Sequence, residues 1–241
     1  MGGGTGGARS LYTEGTAIYA TADRVIEHGK QAAGLTLEAA IENIDFSDGY
    51  FAVTGTNRGI DILSLAADHH RRAAAGHESV SLNAVEVTKV SAHTFPNGCH
   101  IAEVEIDPET GVVTVLRYVV ADDVGRAINP MIVQGQVHGG VAQGLGQALL
   151  ERTAYDADSG QLLSGSFMDY ALPRADDLPD IEVELVEVPC VTNALGVKGA
   201  GEAGAVGSPP ALINAVVDAL DGRVVDMPAT PEVIWKILQG K

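Results

Sequence analysis

Between Cys99 and Gly125 the chain reads "CHIAEVEIDPETGVVTVLRYVVADDVG", with apolar and polar residues alternating on both sides of the segment Asp107–Gly111. A period of two puts one set of side chains on each face of a strand, and Asp-Pro followed by glycine is turn chemistry. The segment therefore reads as a β-hairpin with one apolar face, and that face needs a cover. The cover is available in the same sequence. Residues 11–33 contain no proline and place Ile18, Ala22, Val25 and Ile26 at helical spacing, and "DILSLAADHHRRAAA" reads as a second helix. Asn129-Pro130 supplies an N-cap and a proline at the first helical position before "MIVQGQVHGGVAQGLGQALLER". Ser208-Pro209 is expected to cap a helix through about Leu220, and Thr230-Pro231 with Glu232 opens a last short one. "NIDFSDGYFAVTG" reads as two strands around Ser47-Asp48-Gly49, and "DIEVELVEV" as one more. The expected fold class is α+β, with antiparallel sheets and helices packed on them. Residues 1–241 are expected to form one domain, with a division into two subdomains near 80–95.

Composition narrows the function classes. Thirty-two acidic residues against 15 basic give a formal charge of -17, which repels phosphate backbones and argues against a nucleic-acid partner. The longest apolar runs fall far short of a membrane span. Two cysteines, Cys99 and Cys190, lie far apart without a CxxC, so neither a disulfide framework nor a zinc site is indicated. That usage suits a reducing compartment, and the expected location is cytoplasmic. No basic n-region or apolar core follows Met1; "GGGTGGARS" is an odd beginning, as of a chain that starts in the middle of something.

Glycine is the other organising feature. Three rich segments stand out: 2–10, 134–147 and 197–208 ("VKGAGEAGAVGS"). Gly2-Gly4-Gly7 and Gly199-Gly201-Gly204 each satisfy GxGxxG, but a dinucleotide fingerprint needs a strand before it and a helix opening within it. The first lacks the strand, and the second is expected to meet its helix cap only at Ser208. One such loop alone reads as tight turns and close packing. Three in one domain suggest backbone N–H groups cradling a large, polar, phosphate-bearing ligand. The loop Thr5, Gly6, Gly7, Ala8, Arg9 and Ser10 offers a guanidinium for a phosphate, and Lys198, Gly199 and Gly201 form the third cradle. Gln134, Gln136 and Gln143 carry amides that donate and accept, and each alone reads equally as a solvated helix residue. Other candidates are weaker. His69, His70 and His77 are expected to face solvent, and His100 and His138 read as packed or ligand-facing neutral histidines. Ser10, Ser166 and Ser208 lack a G-x-S-x-G elbow, and "DPETG" lacks EF-hand spacing.

As a set, "GTGGARS", "FPNGCHIAEVEIDPETG", "DDVGRAINPMIVQGQVHGGVAQGLGQAL", "SFMDYALPRADDLP" and "GVKGAGEAGAVGSPPALINAVVDAL" resemble the final third of the molybdenum hydroxylases. These are the xanthine dehydrogenase, aldehyde oxidase and aerobic carbon monoxide dehydrogenase relatives, and the wording is most like bacterial molybdopterin-binding large subunits. The resemblance runs in order from residue 2 to near 222. It implies the molybdopterin-binding C-terminal domain of such a subunit, with the ligand in its cytosine dinucleotide form. Molybdenum is held there by the cofactor dithiolene, so no protein metal ligand is implied. Glu202 in "KGAGEAG" matches the family's active-site glutamate, a general base in hydroxylating an aldehyde or N-heterocycle, or oxidising another small molecule, with water as the oxygen source. Electrons leave for 2Fe-2S clusters and FAD on partner subunits. The departure from the pattern is length: the upstream half of the large subunit is expected as a further partner, beside an iron–sulfur subunit and an FAD subunit. The alternative is a fragment or assembly subunit that binds cofactor or a partner chain without turnover. As a base Glu202 is expected to be buried among small residues, which raises a carboxyl pKa, with Lys198 the only nearby charge to offset it. The plainer alternative has Glu202 capping a helix or facing solvent.

Overall fold

The computed structural model describes residues 4–90 and 92–240. The chain divides into two compact units, one comprising Thr13–Ser91 and the other joining Met1–Tyr12 to Ala92–Lys241.

In the smaller unit α1 (Ser10–Leu37) supplies most of the helix, and β1 (Ile44–Ser47), β2 (Tyr50–Val53) and β3 (Gly59–Asp61) form an antiparallel sheet in that order. The β1–β2 turn sets Asp48 at φ 50 and Gly49 at φ 77, both left-handed, which is what a two-residue hairpin turn needs to match strand twist. Asp61 caps α2 (Ile62–Ala74) by accepting from Ser64 N–H. Ala32, Ala33, Ile44, Phe51 and Leu65 close a small core. His69 is buried against it rather than solvated: Nδ1 accepts from Val80 N–H at 2.9 Å and Nε2 lies 3.0 Å from Ala32 O. His70 and His77 are exposed.

The larger unit is built on the hairpin. β4 (Asn97–Ile106) and β5 (Val113–Asp123) pair antiparallel with a bulge at Glu103/Val104. In their turn Asp107 Oδ1 accepts from Glu109 N–H and Oδ2 from the Thr110 hydroxyl. β6 (Ile181–Leu185) joins β5 parallel. This departs from the all-antiparallel expectation. The chain leaves β5, crosses over through 124–180 including α3 (Pro130–Leu145), and returns in the same direction, as a crossover connection permits. Val137, Val141 and Leu145 of α3 and Leu212, Val216 and Leu220 meet Tyr118 and Val120 in the main core, with Ile234 of α5 (Pro231–Leu238).

Two expectations about glycine change. The segment 134–147, read above both as the helix after Asn129-Pro130 and as a glycine-rich loop, is the helix: it is α3 itself, running into a π-helical turn at Gly146–Leu150. Two of its glycines serve helix packing, since a Cβ on Gly140 would stand 2.7 Å from Ala205 N and one on Gly144 would meet Ser208 Oγ and Pro209 Cδ, whereas Gly135 and Gly139 face open space. The last long helix, α4 (Ala203–Ala219), opens five residues before Ser208, so Pro209 and Pro210 lie inside it. They forgo two N–H donors in exchange for a start within the glycine-rich segment.

Candidate functional site

Everything in this section lies within the larger unit. The loop 4–9 meets the segment 198–201 so closely that a Cβ on Gly199 would stand 2.7 Å from Ala8 O. Gly199 N–H donates to Thr94 Oγ1 at 3.3 Å, which brings in a third stretch, 93–98. Two cavities flank this junction. The first, of about 480 Å³, is lined by Gly7, Ala8, the 93–98 stretch, His100, Asp122, Gly199 and the start of α4 from Glu202 to Gly207. The second, of about 450 Å³, is lined by Ala8, Ser10, Gln136, Lys198, Gly199 and Gly201 among mainly apolar neighbours.

Of the residues singled out from sequence, Gly7, Ala8, Ser10, Gln136, Lys198, Gly199, Gly201 and Glu202 thus border one cavity or the other. Thr5, Gly6, Arg9 and Gln134 border neither. The Thr5 hydroxyl is bonded to that of Ser10, and Arg9 turns back on its own loop, donating to Gly4 O from Nε at 3.1 Å and from Nη2 at 2.7 Å. Gln134 is exposed on α3, as is Gln143. Gly2 of the first GxGxxG lies outside the described residues.

Glu202 occupies the N-cap position of α4, yet its side chain makes no capping bond. It is exposed at the rim of the first cavity, so the expected burial among glycines and alanines is not what this chain provides. Alanine and glycine have too little side chain to cover it. Lys198 turns away from it: Nζ pairs with Asp123 Oδ2 at 2.5 Å, with side chains 12% and 13% exposed. Burial pushes the Asp123 carboxyl up, but the Lys198 ammonium and N–H bonds from Gly125 and Val188 outweigh it and hold it below the usual range.

The floor of the first cavity holds a group of which the sequence reading singled out only His100, as a packed or ligand-facing histidine. Tyr118, Val120 and Asp122 share the inner face of β5, and Asp122 is 2% exposed. His100 Nδ1 lies 2.9 Å from the Tyr118 hydroxyl, and its Nε2 lies 3.4 Å from Asp122 Oδ1. Burial, with the Asp122 charge nearby, pushes the Tyr118 phenol well above its usual range, so it keeps its proton. The signal was a polar residue on the apolar phase of an alternating strand, with glycine across from it at Gly98.

A family profile described as a molybdopterin cofactor-binding domain matches residues 1–179. The large subunit of nicotine 6-hydroxylase from Paenarthrobacter nicotinovorans is 37% identical over 99% of this chain and 30% of its own length. The carbon monoxide dehydrogenase large chain of Hydrogenophaga pseudoflava is 35% identical over 98% of this chain and 30% of its own. Among solved structures, quinoline 2-oxidoreductase from Pseudomonas putida 86 superposes with a TM-score of 0.87 at 36% identity, over 100% of this chain and 31% of that one. The chain thus spans about 30% of the length of the relatives it matches.

Proposed function

This chain belongs to the molybdopterin cofactor-binding domain family, and on that footing we propose that it is the cofactor-binding and base-supplying part of a molybdenum-dependent hydroxylase or dehydrogenase. One observation carries the reading: the glycine-rich stretches at 4–9 and 198–201 converge on two adjoining cavities, with Glu202 at the rim of one.

The residues present fit the group. Main-chain atoms stand bare at Gly7, Gly199 and Gly201, and a Cβ at Gly199 would already strike Ala8. A flat polar ring system can approach such a surface, and the first-turn N–H groups of α4 favour anionic groups beside it. In this reading Gly7, Ala8 and residues 198–201 would hold the cofactor by main chain, Gln136 and Ser10 would add side-chain hydrogen bonds, and Thr5, Gly6, Arg9 and Gln134 would meet the outlying cytidine nucleotide of its cytosine dinucleotide form. When bound, the cofactor supplies the two-electron redox chemistry. Glu202 takes up the proton released as water becomes the substrate's new oxygen. The small residues around Glu202 leave it reach toward a substrate, an aldehyde or N-heterocycle. The upstream region of a large subunit completes the cleft, and iron–sulfur and FAD subunits receive the electrons. The whole works in the cytoplasm. Among the described residues no helix is long and apolar enough to cross a membrane, and no cluster of three or more His, Cys, Asp or Glu side chains could hold a metal. Exposed Met131, Phe167 and Met168 offer apolar surface for such partners to cover.

The test is Glu202→Gln in the assembled enzyme, with molybdenum and pterin content measured beside turnover. The expected result is full cofactor content with turnover reduced about 10²–10⁴-fold. Turnover near normal with cofactor in place would remove Glu202 from the mechanism.

A further inference from the structure

Glu202 opens α4, and part of what that helix lies on is a histidine ring. A Cβ on Gly207 would stand 2.7 Å from Cγ, Nδ1 and Cε1 of His100 alike, and equal distances to three ring atoms put it over the face of the ring, not at its edge. The edges are taken. Nδ1 lies 2.9 Å from the Tyr118 hydroxyl, which keeps its proton and donates, and Nε2 lies 3.4 Å from Asp122 Oδ1. The Tyr118 and His100 rings meet at 86°, with 5.8 Å between centroids. Asp122 is itself held by a missing side chain, since it pairs with Gly98 across the sheet and a Cβ there would overlap its Oδ1. With both edges engaged the ring is held against turning, and its face is presented to α4. About one turn earlier Gly204 rests on α3, where a Cβ would stand 2.5 Å from Val137 O and 3.0 Å from Gly140 Cα. Gly204 and Gly207 are neighbours on the helix surface and form one packed stripe. Glu202 is tied to that stripe by a bond of the first turn, from Val206 N–H to Glu202 O at 3.0 Å.

A support of this kind costs stability. Asp122 Oδ2 has no hydrogen-bond partner among the described residues, and an apolar side chain of similar size would carry the helix without burying an acid. What the polar trio adds is a single ring orientation, because hydrogen bonds are directional and apolar contacts are not. We propose that His100 is a positioning residue for Glu202, its ring the rest on which the first turns of α4 lie, with Tyr118 and Asp122 fixing that ring. This rests on the reading of Glu202 as the base, and adds what sets its distance from the reacting groups.

Gly207→Ala sets a methyl against the ring face. Restoring ordinary contact, about 3.5 Å, lifts the start of α4 by about 1 Å or a little less. In the assembled enzyme kcat should fall about 10- to 100-fold, the scale of such a misplacement, with KM changed far less and molybdenum and pterin content intact. Ile234→Ala, which weakens the same core from α5, should lower Tm and leave kcat alone. Stability gives a second readout that does not depend on the cofactor. Gly207→Ala should lower the urea midpoint of the unmodified protein but raise that of His100→Ala, where the ring is gone and alanine's helix preference remains. If Gly207→Ala does not fold, His100→Gln against His100→Ala decides. The amide keeps an acceptor for Tyr118 and a donor for Asp122, so it should retain several-fold more kcat. Normal kcat in Gly207→Ala overturns the proposal, as does an equal effect of that exchange in both backgrounds. An equal kcat loss in Ile234→Ala, or equal kcat in His100→Gln and His100→Ala, overturns it too. Any of these beside a strong Glu202→Gln effect leaves the proposed function standing, whereas a silent Glu202→Gln ends both.

Discussion

Gly140→Ala should destabilise the protein although alanine is the better helix former. Inside α3 the exchange gains about 0.5–1 kcal/mol from backbone entropy. Against this, the new methyl would stand 2.7 Å from Ala205 N, 2.8 Å from Gly204 Cα and 2.9 Å from Gly204 C. All three are main-chain atoms of α4, so no side chain can swing aside, and relief requires the helices to separate by somewhat less than about 1 Å. Overpacking of this kind costs about 1–3 kcal/mol. The net loss is therefore about 1–2 kcal/mol, or roughly 2–8 °C in Tm for a chain of this size. Gly139→Ala is the internal control, because a Cβ there meets nothing within 4 Å and only the helix gain remains. Equilibrium urea unfolding followed by far-UV circular dichroism should place the two variants on opposite sides of the unmodified protein. A Gly140→Ala variant as stable as Gly139→Ala would refute the account of α3 and α4 as a glycine-mediated crossing.

Lys198→Met should cost about 3–5 kcal/mol by stranding the largely buried Asp123 carboxylate, with the double variant Lys198→Met/Asp123→Asn recovering much of it in the same unfolding assay. Because Asp123 is held below its unfolded value, the pair's contribution is present above about pH 4 and fades as pH falls from there through the folded value; Asp123→Asn should flatten that part of the stability–pH curve. Tyr118 should stay protonated beyond the ordinary tyrosine range, so alkaline titration at the phenolate absorbance should lose no step around pH 10 in Tyr118→Phe.

Much of this was readable from residue order, and the failures have physical reasons. The hairpin β4–β5 was legible because alternation and an Asp-Pro…Gly turn are local signals, and so was the N-cap at Asn129. The parallel pairing of β6 was not, because strand direction is decided by where a crossover returns and no residue within 181–185 encodes it. The start of α4 was misplaced because Ser208-Pro209 has the chemistry of a cap, while the true start lies among glycines and alanines with little signal of their own. The glycine-rich segments announced close approach without saying to what: Gly199 meets Ala8, whereas Gly140 and Gly144 meet α4. Lys198 could be placed near Glu202 by sequence distance, but its partner Asp123 is remote in sequence. His100 was read as packed or ligand-facing, whereas Asp122 was hidden near a strand end, where polar residues are commonplace.

The parallel return of β6 bears on the order in which the larger unit assembles. β4 and β5 are joined through residues 107–112, whereas β6 pairs with β5 only after the crossover 124–180. The roughly tenfold longer connection adds about 2 kcal/mol of closure entropy. The hairpin is therefore expected to form early as a template, with the third strand joining after the crossover has folded back. During that interval the β5 edge from Tyr118 to Asp122 is bare, and it carries the same residues that later floor the cavity. Chain collapse must reach the helical layer before another strand finds that edge, so speed in forming α3, with its helix-weakening glycines, sets the window for misassembly.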